Sequence, residues 1–202
     1  MFNVELKYPS ESLFGLICRS LDRGELVTAQ LPGPHTYFHR LNIFCDAILD
    51  TIWKHAGPRK LILTSFNADI CITLRLKQTR FPVLFITRGG IQSDPSGQNW
   101  AHIDQRHTSL RAAIAWAKVA GLAGIVTLGQ HFGSDPEGPH HQPSTDEAVS
   151  LSTCLTDEGL HCLVYGPGVS TAIFRETSKK YRLTGLIIDN IDHYMHEYKA
   201  GH

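Results

Sequence analysis

The chain has 202 residues, 42% hydrophobic and 19% charged, which excludes a disordered chain and suits one folded domain. Basic and acidic residues both number 19, so a net charge of +0 gives no pull toward nucleic acid or an anionic membrane surface. No apolar run approaches the roughly 20 residues that cross a bilayer, and the start Met1-Phe2-Asn3-Val4-Glu5 lacks a secretory pattern.

Strand-like runs fall at residues 3–6, 61–64, 83–86, 124–127, 162–165 and 186–188. They are nearly continuous in apolar or β-branched residues, as strands covered on both faces are. Helix-like stretches separate them. Leu41, Phe44, Cys45, Ile48 and Ile52 fall at helical spacing, and Gly57-Pro58 ends that run. Asn67 caps the next helix, which carries Ile70, Leu74 and Leu76. Thr108 or Ser109 caps a third, with Leu110, Ala113, Ile114 and Ala117 on one face and Gly121 after it. A fourth runs through Ala148, Leu151 and Leu155 to Gly159, and Thr171 and Ile191 open two more. Residues 8–40 and 131–145 read as long loops rich in Pro, Gly and His.

Strand–helix alternation predicts a parallel α/β fold. Periodicity leaves two architectures open: a doubly wound sheet, or a (β/α)₈-type barrel with two units missing. No GxGxxG fingerprint follows the first strand to favour a nucleotide-binding sheet. Five cysteines without a CxxC pair point away from structural zinc or a disulfide framework and toward a reducing, cytoplasmic setting.

In parallel α/β folds the chemistry lies at the C-terminal ends of the strands. Glu5 and Lys7 share a face of the first strand. A carboxylate and an ammonium there can meet a divalent metal and a phosphate oxygen; they can equally form a plain ion pair at the rim. Thr64, Ser65 and Thr127 are further rim candidates, and Trp53, Trp100 and Trp116 read as packing residues. His131, His140 and His141, like His102 and His107, read as solvated loop residues.

Phe2-Asn3-Val4-Glu5-Leu6-Lys7-Tyr8-Pro9 resembles the third barrel strand of the glycerophosphodiester phosphodiesterase family. Thr64-Ser65-Phe66-Asn67-Ala68-Asp69-Ile70-Cys71 resembles the fourth-strand signature of its large eukaryotic branch, which acts on glycerophosphocholine and includes fungal phosphate-regulatory proteins. Residues 74–87, Leu122-Ala123-Gly124-Ile125 and Thr184-Gly185-Leu186-Ile187-Ile188-Asp189 continue the likeness.

The resemblance implies an incomplete TIM-type barrel of about six β/α units, the family's strands three to eight, filling residues 1–202 as the C-terminal part of such a domain. It implies a phosphoric diester hydrolase that converts glycerophosphodiesters to glycerol 3-phosphate and an alcohol with Mg²⁺ or Ca²⁺. In that picture Glu5 is a metal ligand, Lys7 lies near the phosphate, and Tyr165, where the family often has Trp, lines the substrate pocket. The family's catalytic His-Arg, Glu-x-Asp and His-Asp-Pro motifs precede its third strand. His39-Arg40 sits in the loop read at 8–40 and does not stand in for the first of them. This reading assigns no catalytic residue, expects little activity and low stability from the chain alone, and expects missing barrel units or another chain to cover open sheet edges. Its rivals are a catalytically dead barrel with a regulatory or binding role and an unrelated open-sheet ligand binder.

Overall fold

The computed structural model describes residues 1–8, 34–91, 104–134 and 143–188. Six strands carry the fold: β1 (Phe2–Glu5), β2 (Leu61–Ser65), β3 (Val83–Ile86), β4 (Gly124–Leu128), β5 (His161–Tyr165) and β6 (Gly185–Leu186). All neighbouring pairs are parallel, and their spatial order is their chain order. That order decides between the two architectures. A doubly wound sheet reverses its strand order at a switch point, and this one never does. Parallel crossovers share one hand, so sequential winding sends every connecting helix to the same face, as in a barrel. The described strands form six units of a TIM-type barrel, and β1 and β6 each pair on one side only among the described residues.

The helices are α1 (Pro34–His55), α2 (Ala68–Lys77), α3 (Leu110–Val119), α4 (Thr145–Asp157) and α5 (Ala172–Lys180). Four start on the capping chemistry their sequences offer. The side chains of Asn67, Ser109, Ser144 and Thr171 each accept a first-turn backbone N–H of α2, α3, α4 and α5 respectively. Between Thr108 and Ser109, therefore, Ser109 is the cap of α3. α1 starts at Pro34, seven residues before Leu41, because a proline at the first helical position brings a preset φ and lacks only an N–H that would be orphaned. The predicted loop at 8–40 thus ends seven residues too late, and His39 and Arg40 are exposed residues of α1.

The sheet separates two apolar layers. On the helix side Leu63, Val83, Phe85, Ile125 and Val164 pack against Leu41, Cys45, Ile70, Leu74, Ile114, Leu151 and Phe174. On the other face Ile62, Leu84, Ile86, Val126 and Leu163 form a second cluster with Phe66, Tyr165 and Ile187 at its border. Burial on both faces explains the continuous apolar strands. Leu76, one of the apolar residues carried by α2, is 81% exposed, because the inward stripe of that helix runs through Ile70, Cys71 and Leu74. Trp53 is only partly covered, lying against Phe81 with the Arg80 guanidinium 5.0 Å from its ring centre. Trp116 packs edge-on to Phe85. Trp100 and Ile191 lie outside the described residues, as do His102, His140 and His141.

Candidate functional site

Strand alternation builds the site. Asn3, Glu5 and Lys7 lie on the inner face, because Val4 and Leu6 pack into the helix-side core. Thr64, the register partner of Glu5, donates through Oγ1 to Asn3 Oδ1 at 2.9 Å. Leu84 and Ile86 are inner residues, and two positions further along the chain is Arg88. Leu163 and Tyr165 follow the same rule on β5. The inner face at the C-terminal ends of the strands therefore gathers Glu5, Lys7, Arg88 and Tyr165 around an apolar floor.

The Lys7 Nζ stands 3.9 Å from Glu5 Oε1, with the lysine 81% and the glutamate 32% exposed. The pair is a rim ion pair that solvent screens. Tyr165 lies deeper. Burial pushes its hydroxyl up to about 12, Arg88 pulls the other way, and Glu5 adds to the rise. The Tyr165 Oη meets no hydrogen-bond geometry to a described group, although the Arg88 guanidinium is near enough to act on it. One anion, two cations and a phenol thus face a common space.

Sequence reasoning ended the third strand at Ile86-Thr87 and passed over Arg88. Counting the two-residue period one step past the strand would have found it. The turn behind it is tightly built. Gly89 and Gly90 have φ of +60° and +87°, values that favour glycine. A Cβ on Gly89 would lie 2.4 Å from His131 Nε2, and one on Gly90 would lie 2.4 Å from the Thr108 carbonyl oxygen. The Gly89 N–H donates to Thr87 Oγ1 at 3.0 Å.

Of the histidines read as solvated loop residues, His107 is buried and His131 is half-buried instead. His131 sits in a 3₁₀ turn, Gly129–Phe132, and its Nε2 donates to the Arg88 carbonyl at 2.9 Å. His107 ends another, Gln105–His107. Its Nε2 donates to the Phe66 carbonyl at 3.1 Å, so its Nδ1 accepts from Thr87 Oγ1 at 3.2 Å. Burial lowers the pKa of both below the ordinary histidine value. The Nε2 of each is thus engaged by a backbone carbonyl beside the site.

The fourth-strand signature is also structural. Asn67 Oδ1 accepts the Asp69 and Ile70 N–H groups, and its amide donates to Tyr37 Oη at 3.2 Å. Tyr37 Oη donates to Asp69 Oδ2 at 3.1 Å, and Arg106 Nη1 donates to Asp69 Oδ1 at 3.2 Å. Arg106 also grips Asp104, with Nη2 2.7 Å from Oδ2. Burial opposes the charge of Arg106, but Asp104 and Asp69 more than offset this and raise its pKa. Cys71 Sγ donates to the Ser65 and Leu84 carbonyls at 3.5 and 3.7 Å. Ser65 and Thr127, proposed above for the rim, are buried and turn toward the helix layer. Ser65 Oγ donates there to the Leu6 carbonyl at 2.8 Å.

For a divalent ion the fit is incomplete. Hard cations want about six or more oxygen ligands. Among the described residues no three His, Cys, Asp or Glu side chains come together to hold one, and Asp69 and Asp104 are engaged by Arg106. Glu5 is the carboxylate these residues offer at the rim. No helix of the described residues is long and apolar enough to cross a membrane.

Residues 32–193 match the model of the glycerophosphoryl diester phosphodiesterase family. The chain is similar to glycerophosphocholine phosphodiesterase GPCPD1 of Rattus norvegicus, at 28% identity over 97% of this chain and 24% of that protein. It is similar to glycerophosphocholine phosphodiesterase gde1 of Schizosaccharomyces pombe, at 31% identity over 94% of this chain and 13% of that protein. The chain spans a quarter or less of the length of these curated relatives. Its fold matches the crystal structure of a Galdieria sulphuraria protein assigned as a glycerophosphodiester phosphodiesterase. The TM-score is 0.52 at 11% identity, over 96% of this chain and 55% of that one.

Proposed function

Because the chain belongs to the glycerophosphoryl diester phosphodiesterase family, we propose that it is part of a hydrolase that splits glycerophosphodiesters, glycerophosphocholine among them, into glycerol 3-phosphate and an alcohol. The observation that carries this reading to the residues is the placement of Glu5 and Lys7, 3.9 Å apart on the inner face where the strands end. Lys7 is proposed to contact the phosphate. Tyr165 is proposed to line the substrate pocket, its ring closing the border of the inner apolar cluster. Glu5 is proposed as one carboxylate ligand of a Mg²⁺ or Ca²⁺ ion, which would neutralise phosphate charge. The described residues supply no complete site for it.

Ester cleavage also needs a proton delivered to the leaving oxygen. Among the described residues no histidine faces the rim: His107 and His131 are spent on carbonyls. The described residues assign no proton donor, and our reading is that residues 1–202 alone bind the diester and cleave it slowly. The free thiols Cys45, Cys71, Cys154 and Cys162 support placing the protein in the cytoplasm.

The test is an assay of glycerol 3-phosphate release from glycerophosphocholine with Mg²⁺, with and without a co-expressed piece carrying the first two β/α units of a family member. The hydrolase reading expects complementation to raise release at least about a hundredfold, the low end of what positioned acid–base groups supply. Binding that persists without any gain would favour the rival reading, a regulatory barrel that senses phosphorylated ligands. Fast metal-dependent release by residues 1–202 alone would overturn the expectation of slow cleavage.

A further inference from the structure

We propose that Arg88 is a phosphate-binding residue of this site, a second cation that grips the ligand across from Lys7. The inference rests on the phosphodiester reading above and adds a residue to it. Three observations carry it.

The first is register. Ile86 pairs with Val126, and Leu128 pairs with Tyr165. Extending the first pairing by two residues sets Arg88 level with Tyr165 on the same face. Glu5 is also near enough to act on Tyr165. Arg88 therefore belongs to the same rim as the Glu5–Lys7 pair, on the inner face of the sheet rather than its helix side.

The second is rigidity. The backbone on either side of Arg88 is fixed by contacts from three elements. His131 Nε2 holds its carbonyl from the turn after β4. Thr87 Oγ1 takes the Gly89 N–H and is itself tied to His107. Gly90 lies against the Thr108 carbonyl, closer than any side chain would allow. A surface arginine has no use for such support. A ligand-binding one does, because a fixed backbone aims the side chain and leaves less freedom to lose when it closes on an anion.

The third is chemistry. A phosphodiester presents two equivalent non-bridging oxygens. A planar guanidinium donates two parallel N–H groups to such a pair, whereas the single ammonium of Lys7 acts as a point charge. A carboxylate, a phenol, an ammonium and a guanidinium around one apolar floor match an anionic head joined to a small organic group.

The experiment titrates the chain with glycerol 3-phosphate and glycerophosphocholine, following the Arg88 Nε–H signal in ¹⁵N spectra and binding by calorimetry. In the wild type the Arg88 signal is expected to shift on binding. Arg88→Gln is expected to weaken binding at least about tenfold, and Arg88→Lys to recover part of that loss, as charge-assisted contacts predict. Unchanged affinity in Arg88→Gln, with the wild type binding normally, would overturn the proposal and leave the phosphodiester reading intact. So would weakened variants combined with an Arg88 signal that ignores the ligand, which marks a structural role. No binding of either probe by the wild type would overturn both.

Discussion

Arg106 Nη1 lies 3.2 Å from Asp69 Oδ1, and this contact ties the segment after β3 to the first turn of α2. Both side chains are mostly buried, at 19% and 12% exposure. Asp104 and Tyr37 complete the same network. Removing one partner strands a buried charge, so Asp69→Ala is expected to cost about 3 kcal/mol. Urea denaturation measures it. Asp69→Ala combined with Arg106→Met should cost clearly less than the sum of the single changes, because the pair is coupled. Additive losses would show that the contact does not bind the two segments together.

Asn67 caps α2 through its Oδ1 and supports Tyr37 through its amide. Asn67→Ala should lower stability by about 1 kcal/mol or somewhat more, the usual loss for a cap. Asn67→Asp keeps the cap acceptor but loses the N–H given to Tyr37 Oη, so it should recover only the capping share, which thermal melts of the three proteins would compare.

Stability should fall in mild acid. Burial holds both His107 and His131 neutral in the folded protein, with pKa values below the ordinary value of about 6.5. The unfolded chain then binds more protons than the folded one as the pH drops through that value. Their contribution is complete above it and is lost progressively below it. The urea midpoint should drop between pH 7.5 and 5.0, and His107→Gln should drop less steeply than the wild type. Parallel pH profiles for the two proteins would contradict the burial of His107 as a neutral ring.

Gly90→Ala should be more harmful than an ordinary surface substitution. Its φ is +87°, and the new Cβ would meet the Thr108 carbonyl oxygen at 2.4 Å. Backbone strain and this clash together predict a loss of about 2 kcal/mol. Differential scanning calorimetry would measure it, and the same variant should move the Arg88 resonance.

The strands were legible because their faces are both apolar. Residues 83–86 and the caps at Asn67, Ser109 and Thr171 needed no tertiary information. The choice of a barrel did need it, since periodicity says nothing about strand order. Glu5 and Lys7 were visible from alternation along one strand. Arg88 was not, because it lies past the last paired residue of β3, where the pattern of two had been dropped. His107 and His131 misled for another reason. Both sit in short 3₁₀ turns among polar residues, and their burial comes from the backbone carbonyls of Phe66 and Arg88, which no local pattern encodes.

We propose that a phosphodiester binds where Glu5, Lys7, Arg88 and Tyr165 converge. Mapping backbone amide shifts during a glycerophosphocholine titration measures this at the residues themselves. The perturbed amides are expected to cluster at residues 5–7, 87–90 and 165–166, and Lys7→Gln to weaken the response. Shifts confined to the outer helices, or none at saturating ligand, would contradict it.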